Sequence, residues 1–293
     1  MANVLLLAPS GWQDYELLDS GDGFKFERFG KYKLVRPDPQ ALWSPHLSTK
    51  QWQQADVFFE RTKSDEGKWV FRKSVDEQWL MRYENLAFWV KFTAFKHTGV
   101  FPEQAVNWQW FRQKIKAAGR PIRVLNLFGY TGIAGLAAAA AGASITHVDA
   151  SKPALSWAKD NQTASNLQNS SIRWILDDAT RFVAREARRG SRYDGIIMDP
   201  PVFGHGPDGE IWKFNTSFPA LMRACQDILS DKPLFVLVNA YAISASSVML
   251  GNVLEGALSH YKGTISYGEL VLEETDSKRL LSTGIFGRWE ASP

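Results

Sequence analysis

Residues 123–151 read RVLNLFGYTGIAGLAAAAAGASITHVDAS. A short aliphatic run, RVLNLF, ends in a glycine-bearing turn. An alanine-rich helical stretch follows, and a second β-branched run, SITHVD, closes on an acid. The alternation continues downstream: IRWILD, YDGIIMD and LFVLVNA are three more buried-strand candidates, and KPALSWAKDNQTASN, ATRFVAREARR and FPALMRACQDIL are the helices between them. Strands that alternate with helices need crossover connections, which gives a mostly parallel sheet covered on both faces. After a last helix near SSVMLGNVLEGALSHY, the runs GTISYGELVL and LLSTGIFGRW have no helix between them, so an antiparallel edge is expected. The fold class is α/β.

Upstream the chain changes character. YELLDSG, FKFERFG and KYKLVRP alternate or are rich in β-formers, and each is bounded by Gly, Asp or Pro. KWVFRK and LAFWVKFTAF supply further strands, and LSTKQWQQADVFF reads as one helix. In FPEQAVNWQWFRQKIKAAG, Val106, Trp110, Phe111 and Ile115 recur at helical spacing, with Gly119 as the stop. The expected organisation is a small β-rich N-terminal unit over 1–75, a strand-and-helix connection over 76–120, and the α/β domain over 121–293.

Composition bounds the function. With 293 residues, 45% hydrophobic and 22% charged, the chain is that of an ordinary globular protein. No apolar run approaches the roughly 18 residues needed to cross a bilayer, and the opening MANVLLLAPSGWQDYELL lacks the basic start of a signal peptide. A cytoplasmic location with no membrane partner is expected. The single cysteine, Cys225, forbids an intrachain disulfide or a Cys-based zinc cluster, and His46, His97, His147, His205 and His260 are too dispersed for metal-ligand spacing. Of the net charge of +3, the basic excess lies in front: residues 1–122 hold 18 Lys and Arg against 14 Asp and Glu, together with eight of the twelve Trp. Aromatic rings among basic groups suit stacking on bases and pairing with phosphates, although a Trp-rich core with solvated lysines has the same composition.

In open parallel sheets, ligands bind outside the carboxyl ends of the strands near the topological switch point. The polar residues of interest fall at such ends. After the first strand comes Asn126-Leu-Phe-Gly129-Tyr-Thr-Gly132, with Gly135 one helical turn on; the glycines allow a tight turn and close approach of backbone to a ligand. About 20 residues later the second strand ends in Asp149, where a carboxylate can accept both hydroxyls of a ribose. The third ends in Asp177-Asp178-Ala179, where an acid beside a small residue can take an adenine amino group. The fourth ends in Asp199-Pro200-Pro201-Val202-Phe203-Gly204. Taken singly, Asp149 and Asp178 also read as helix N-caps.

On these motifs the chain resembles the class I S-adenosylmethionine-dependent methyltransferases, and within them the bacterial base methyltransferases of large-subunit ribosomal RNA. The likeness covers roughly residues 75–290 and rests on TGVFPEQ (98–104), NLFGYTG (126–132), HVDAS (147–151), DDA (177–179) and DPPVFG (199–204). It implies a Rossmann-like seven-stranded sheet, mostly parallel with an antiparallel last strand. It implies also that Gly129 and Gly132 wrap the methionine part of S-adenosylmethionine, that Asp149 holds the ribose and that Asp178 reads the adenine. By the same resemblance Phe101, in the 76–120 connection, lies beside the cofactor, and Asn126, Phe128, Ala150 and Ala179 complete the binding set. Asp199 would face both methyl donor and acceptor. The chain departs from the pattern in two places. Residues 1–75 show no motif of the RNA-binding domain that often precedes this branch. Members that form 5-methylcytosine place a cysteine just after the fifth strand, where this chain reads Val238-Asn239-Ala240-Tyr241-Ala242.

Transfer from a sulfonium is an in-line displacement that asks chiefly for alignment. Pro200 and Pro201 stiffen their loop and leave carbonyls free to accept from an amino group, Phe203 can stack on a flipped base or pack in the core, and Asp199 can orient the nitrogen or take its proton. Arg181, Arg185, Arg188 and Arg192 share a helix face that reads as a phosphate ridge or, more simply, a solvated surface. The segment GHGPDGEIW, with His205, reads as a mobile lid whose Glu210 and Trp212 either reach the substrate or cap and anchor the next helix. The expectation is therefore an enzyme that methylates an RNA base, releases S-adenosylhomocysteine and uses no cysteine adduct. The alternatives are a protein or small-molecule methyltransferase and a cofactor-binding RNA-binding protein without catalysis.

Overall fold

The computed structural model describes residues 3–61, 67–241 and 243–292. Contacts divide the chain into two units, one of Met1–Leu7, Val106–Leu270 and Gly284–Pro293, the other of Ala8–Ala105 and Val271–Thr283. The first strand, β1 (Leu5–Leu7), belongs to the former. The second unit carries β2 (Tyr15–Gly21), β3 (Phe24–Phe29), β4 (Tyr32–Pro37), α1 (Thr49–Trp52), β5 (Val57–Arg61), β6 (Gly67–Phe71), β7 (Gln78–Tyr83) and β8 (Leu86–Lys91).

In the second unit, β2 to β6 form one sheet in sequence order, antiparallel except for the β4–β5 pair, and β7 and β8 form a separate hairpin. The single helix read from LSTKQWQQADVFF is instead the one-turn α1 followed by β5. Ser48 and Gln51 form a reciprocal cap that starts the turn. Asp56 then accepts from the Lys33 backbone N–H at 2.8 Å, and the period-2 burial of Val57 and Phe59 carries the chain into the sheet. The eight tryptophans before residue 123 settle the aromatic question for that segment: none is exposed. Trp12, Trp43, Trp52 and Trp69 each spend the indole N–H on a partner within this unit. These four are half-buried anchors, while Trp79 and Trp108 are buried in the core.

The first unit contains α2 (Ala105–Ala117), β9 (Arg123–Leu127), α3 (Ile133–Ala140), β10 (Ser144–Asp149), α4 (Lys152–Ala164), β11 (Ile172–Leu176), α5 (Ala179–Arg188) and β12 (Gly195–Met198). It continues with β13 (Phe203–His205), β14 (Ile211–Lys213), α6 (Phe214–Gln226), β15 (Phe235–Ala240) and α7 (Ser247–Leu258), and holds most of β16 (Gly263–Glu273) and β17 (Leu280–Ala291). All five buried-strand candidates are strands. The sheet order is β1-β16-β17-β15-β12-β9-β10-β11, parallel in its centre, with β17 antiparallel to β15. This is the expected seven-stranded sheet with an eighth strand added, because Leu5–Leu7 pairs parallel with Gly268–Leu270. Three leucines are too few to show a period. The partner, Gly268, has no room for a side chain: a Cβ would lie 1.8 Å from the Leu5 carbonyl oxygen.

From β9 the chain steps outward through β10 and β11, then returns to the other side of β9 at β12. The switch point is therefore between β9 and β12. Helices α5, α6 and α7 close one face over Leu125, Val148, Ile196, Val236 and Val238. No helix among the described residues is long and apolar enough to cross a membrane.

Candidate functional site

The turn after β9 is strained in a way that only a packed surround maintains. Phe128 (φ +54°) and Tyr130 (φ +49°), neither of them glycine, both sit in the left-handed region on either side of Gly129, and Gly132 (φ +82°) follows as the N-cap of α3. Besides the Gly132 N–H to Gly129 carbonyl bond at 2.9 Å, three longer-range bonds among the described residues hold the turn. The Gly129 N–H donates to the Val148 carbonyl at 3.1 Å, the Tyr130 N–H to Asp149 Oδ2 at 2.8 Å, and Asn161 Nδ2 on α4 to the Thr131 carbonyl at 2.9 Å. Gly132 is required on its own account, since a Cβ there would lie 2.8 Å from that of Ala158.

Asp149, at the end of β10, also accepts the Ser151 N–H through Oδ1 at 2.8 Å. Each carboxylate oxygen thus takes one backbone bond and keeps lone pairs for a further donor. Burial pushes the acid up from its ordinary value, with the two backbone N–H groups pulling the other way. Ser151, two residues on, supplies the N-cap of α4, so the capping role read as an alternative for Asp149 falls to its neighbour. Ala150 lies half-buried between them.

At the end of β11 the two acids divide the work. Asp177 Oδ1 accepts from the Asp178 N–H and from Arg181 Nε, both at 2.9 Å, and Oδ2 pairs with Arg185 at 2.5 Å. Burial raises this carboxyl, but the two guanidiniums hold it below its usual range. Asp178 is the N-cap of α5, accepting the Arg181 N–H at 2.9 Å, with Ala179 buried behind it. The arginine face is therefore largely spoken for: Arg181 also bonds Asp208 and Glu210 at 2.7 Å each, and Arg192 bonds the Asp227 carbonyl.

Beyond β12, Asp199 is half-buried, Pro200 buried and Pro201 exposed. The Trp212 indole N–H donates to the Pro201 carbonyl at 2.7 Å, and its ring meets Phe128 at 4.8 Å, which ties the proline loop to the glycine turn. The Val202 carbonyl accepts from the Phe214 N–H. This leaves the Pro200 carbonyl, to which no donor among the described residues is bonded. Phe203 is 53% exposed, outside the core. The segment read as a lid is the hairpin β13–β14, with Trp212 buried beneath it and its turn tied to α5 by Arg181.

The register brings these ends together: Met198 pairs with Leu127, Leu127 with Val148 and Asp149 with Leu176, so the four turns leave adjacent strands at one edge. Asn126 is buried in β9, its amide 3.3 Å from His147 Nδ1. Phe101 belongs to the other unit, half-buried, its ring 5.2 Å from that of His97. Sequence reasoning passed over Asn161, read Arg181 as part of a phosphate ridge or solvated face and Trp212 as part of a lid, and gave His147 no role in supporting the turn. Asn161 did leave a signal, being the polar member of the buried stripe Ala154, Leu155, Trp157, Ala158 and Asn161 on α4.

The position where a cysteine would serve 5-methylcytosine chemistry is built into the fold. Asn239 Oδ1 accepts from Asn107 Nδ2 at 2.9 Å, and Asn107 Oδ1 accepts from buried Arg288. Ala242, at the end of that segment, lies outside the described residues. Cys225 is buried on α6, and burial pushes its thiol up to about 12.

Comparison with known proteins places this geometry. Residues 24–261 match the family model of S-adenosylmethionine-dependent methyltransferases. A crystal structure of a SAM-dependent methyltransferase from Agrobacterium tumefaciens is 43% identical, covering all of this chain and 97% of that one, with a TM-score of 0.94. A candidate SAM-dependent methyltransferase of Streptococcus mutans shares the fold at 19% identity, over 96% of this chain and 76% of that one, with a TM-score of 0.73. A further structure with the same scores holds S-adenosylhomocysteine. Among curated relatives, the ribosomal RNA large subunit methyltransferase K/L of a Shewanella species (strain ANA-3) is 37% identical over 120 residues, which is 40% of this chain and 16% of that protein. The Shewanella baltica protein of the same name is 38% identical over 119 residues, again 40% of this chain and 16% of its own length.

Proposed function

Since the chain belongs to the S-adenosylmethionine-dependent methyltransferases, we propose that the edge formed by the ends of β9 to β12 methylates an amino nitrogen of a base in ribosomal RNA, in the cytoplasm. The observation that carries this reading is the Asp199-Pro200-Pro201 loop at the switch point. The loop leaves β12 beside the strand β9 that carries the glycine turn, on a backbone anchored by Trp212, and its Pro200 carbonyl accepts from no donor among the described residues.

The residues fit the cofactor. Asp149 keeps acceptor capacity on both oxygens, as two ribose hydroxyls require, and the backbone of Phe128–Gly132 is held open by residues in left-handed conformations. Asn126 supports that turn from beneath, Ala150 and Ala179 leave room beside the ribose and adenine, and Asp178 offers its carboxylate to the adenine edge. When bound, S-adenosylmethionine supplies an electrophilic methyl group and leaves as S-adenosylhomocysteine. The protein's part is alignment. Asp199 and the Pro200 carbonyl accept hydrogen bonds from the acceptor nitrogen and turn its lone pair toward the methyl group, Phe203 stacks on the base, and Asp199 takes the proton released.

Nitrogen is favoured over carbon 5 of cytosine because that carbon needs a thiolate adduct, and the chain's one thiol is buried on α6. Ribosomal RNA is supported by the names of the curated relatives, which this chain matches over a sixth of their length. Mass mapping of ribosomal RNA from a strain lacking the protein, beside its parent, tests the assignment: one base should be lighter by a methyl group in the mutant. Identical maps would refute it.

A further inference from the structure

The hairpin β13–β14 has two unlike faces. Gly204 and Trp212 pair across it, and Trp212 turns inward, 3% exposed. On the other face, Phe203 lies opposite Lys213 and His205 opposite Ile211, and all four are exposed. The Phe203 and His205 rings meet edge to face at 5.0 Å. Ile211 is 64% exposed. A short two-stranded ribbon that puts an apolar side chain, an aromatic ring, an imidazole and an ammonium into water gains nothing in stability from doing so.

The electrostatics point the same way. The hairpin's acidic groups, Asp208 and Glu210, are both paired with Arg181, which fixes the turn to α5. Among the described residues, the side chains of His205 and Lys213 have no hydrogen-bonded or ionic partner. On this face the Lys213 ammonium, opposite Phe203, therefore lies beside stacking surface with no acid among the described residues paired to it. That pairing matches a nucleotide, which offers a π-face and a phosphate together.

We propose that the outward face of β13–β14 holds the unpaired nucleotide next to the target base in a single-stranded RNA segment. Ile211 and the His205 imidazole form the floor for that neighbouring base, and Lys213 pairs with its phosphate. This rests on the reading of the chain as an RNA base methyltransferase, and it adds that the substrate is single-stranded around the target, since a duplex would keep its bases from this face.

The test is fluorescence anisotropy with a labelled single-stranded RNA of about a dozen nucleotides and its duplex form, using wild-type protein, His205→Ala, Ile211→Ser and Lys213→Gln. S-adenosylhomocysteine affinity measured on each variant confirms an intact fold. Wild type should prefer the single strand. His205→Ala and Ile211→Ser should weaken its binding about three- to tenfold, and Lys213→Gln should do the same while flattening the slope of log affinity against log salt by about 0.7, one phosphate contact. Wild-type binding that all three variants retain would overturn the platform and leave the RNA reading standing. Absence of RNA binding by wild-type protein that still binds S-adenosylhomocysteine would overturn both.

Discussion

His147 occupies the volume that a side chain on Gly129 would need: a Cβ built there lies 2.2 Å from His147 Cε1 and 2.6 Å from Nδ1. The imidazole is buried in β10, against the Trp174 ring at 4.7 Å and the Asn126 amide at 3.3 Å. The ring thus forms the floor on which the glycine turn rests, so the turn's shape depends on a residue that touches it from below.

Gly129→Ala should cost about 1–3 kcal/mol of stability by overpacking and weaken S-adenosylhomocysteine binding with it. His147→Ala alone leaves a cavity. Combined, the two changes relieve each other, so the double variant should be more stable than the sum of the singles requires; additive losses in chemical denaturation would show that the contact does not govern the turn.

Acid should act through the same ring. Burial lowers the His147 pKa from 6.5 to about 3, so between those values the unfolded chain binds a proton that the folded chain does not. Stability is therefore lost as pH falls below 6.5, by about 2 kcal/mol at pH 5 for this group. His97, also lowered to about 3 by burial, adds a similar loss, while the raised acids Asp149 and Glu103 oppose it. The comparison with His147→Gln isolates the effect: denaturation midpoints of the variant should fall less steeply between pH 6.5 and 5. Equal slopes would place the ring's protonation outside folding.

Asp149→Ala should weaken S-adenosylhomocysteine binding by roughly 1–3 kcal/mol, the cost of hydroxyls left without their charged acceptor. Because burial raises this acid, binding by the wild-type protein should decline with falling pH earlier than an ordinary aspartate would dictate, at a pH above 3.8. Calorimetry that finds the variant as tight as wild type would remove Asp149 from the ribose.

Cys225→Ser should retain full turnover while losing about 1–2 kcal/mol of stability, since a hydroxyl replaces a buried thiol among Phe218, Leu221 and Met222. A covalent complex with 5-fluorocytosine RNA that disappears in this variant would put the thiol in the reaction.

The sheet was legible because its strands are continuous apolar runs and its turns end in acids and glycines, features that survive without tertiary information. The placement of Gly129, Asp149, Asp178 and Asp199 at the ends of β9 to β12 was legible for the same reason. What escaped was set by partners distant in sequence. Leu5–Leu7 joins the sheet only because Gly268 admits it, LSTKQWQQADVFF breaks where Asp56 meets Lys33, and the Arg181 side chain serves Asp208 and Glu210 on a hairpin that no local pattern announced. The Trp-rich front illustrates the converse: composition fitted both a nucleic-acid surface and a Trp-rich core, and in the structure none of these rings is exposed.

The central claim is that the Asp199-Pro200-Pro201 loop aligns an RNA base for methyl transfer. It is tested most directly by following labelled methyl from S-adenosylmethionine into ribosomal RNA purified from a strain lacking the protein, with wild-type enzyme and Asp199→Ala. Wild type should label one base, and Asp199→Ala should bind S-adenosylhomocysteine nearly as well yet turn over about a hundredfold more slowly or worse. Label entering protein instead of RNA, or an Asp199→Ala enzyme as fast as wild type, would contradict it.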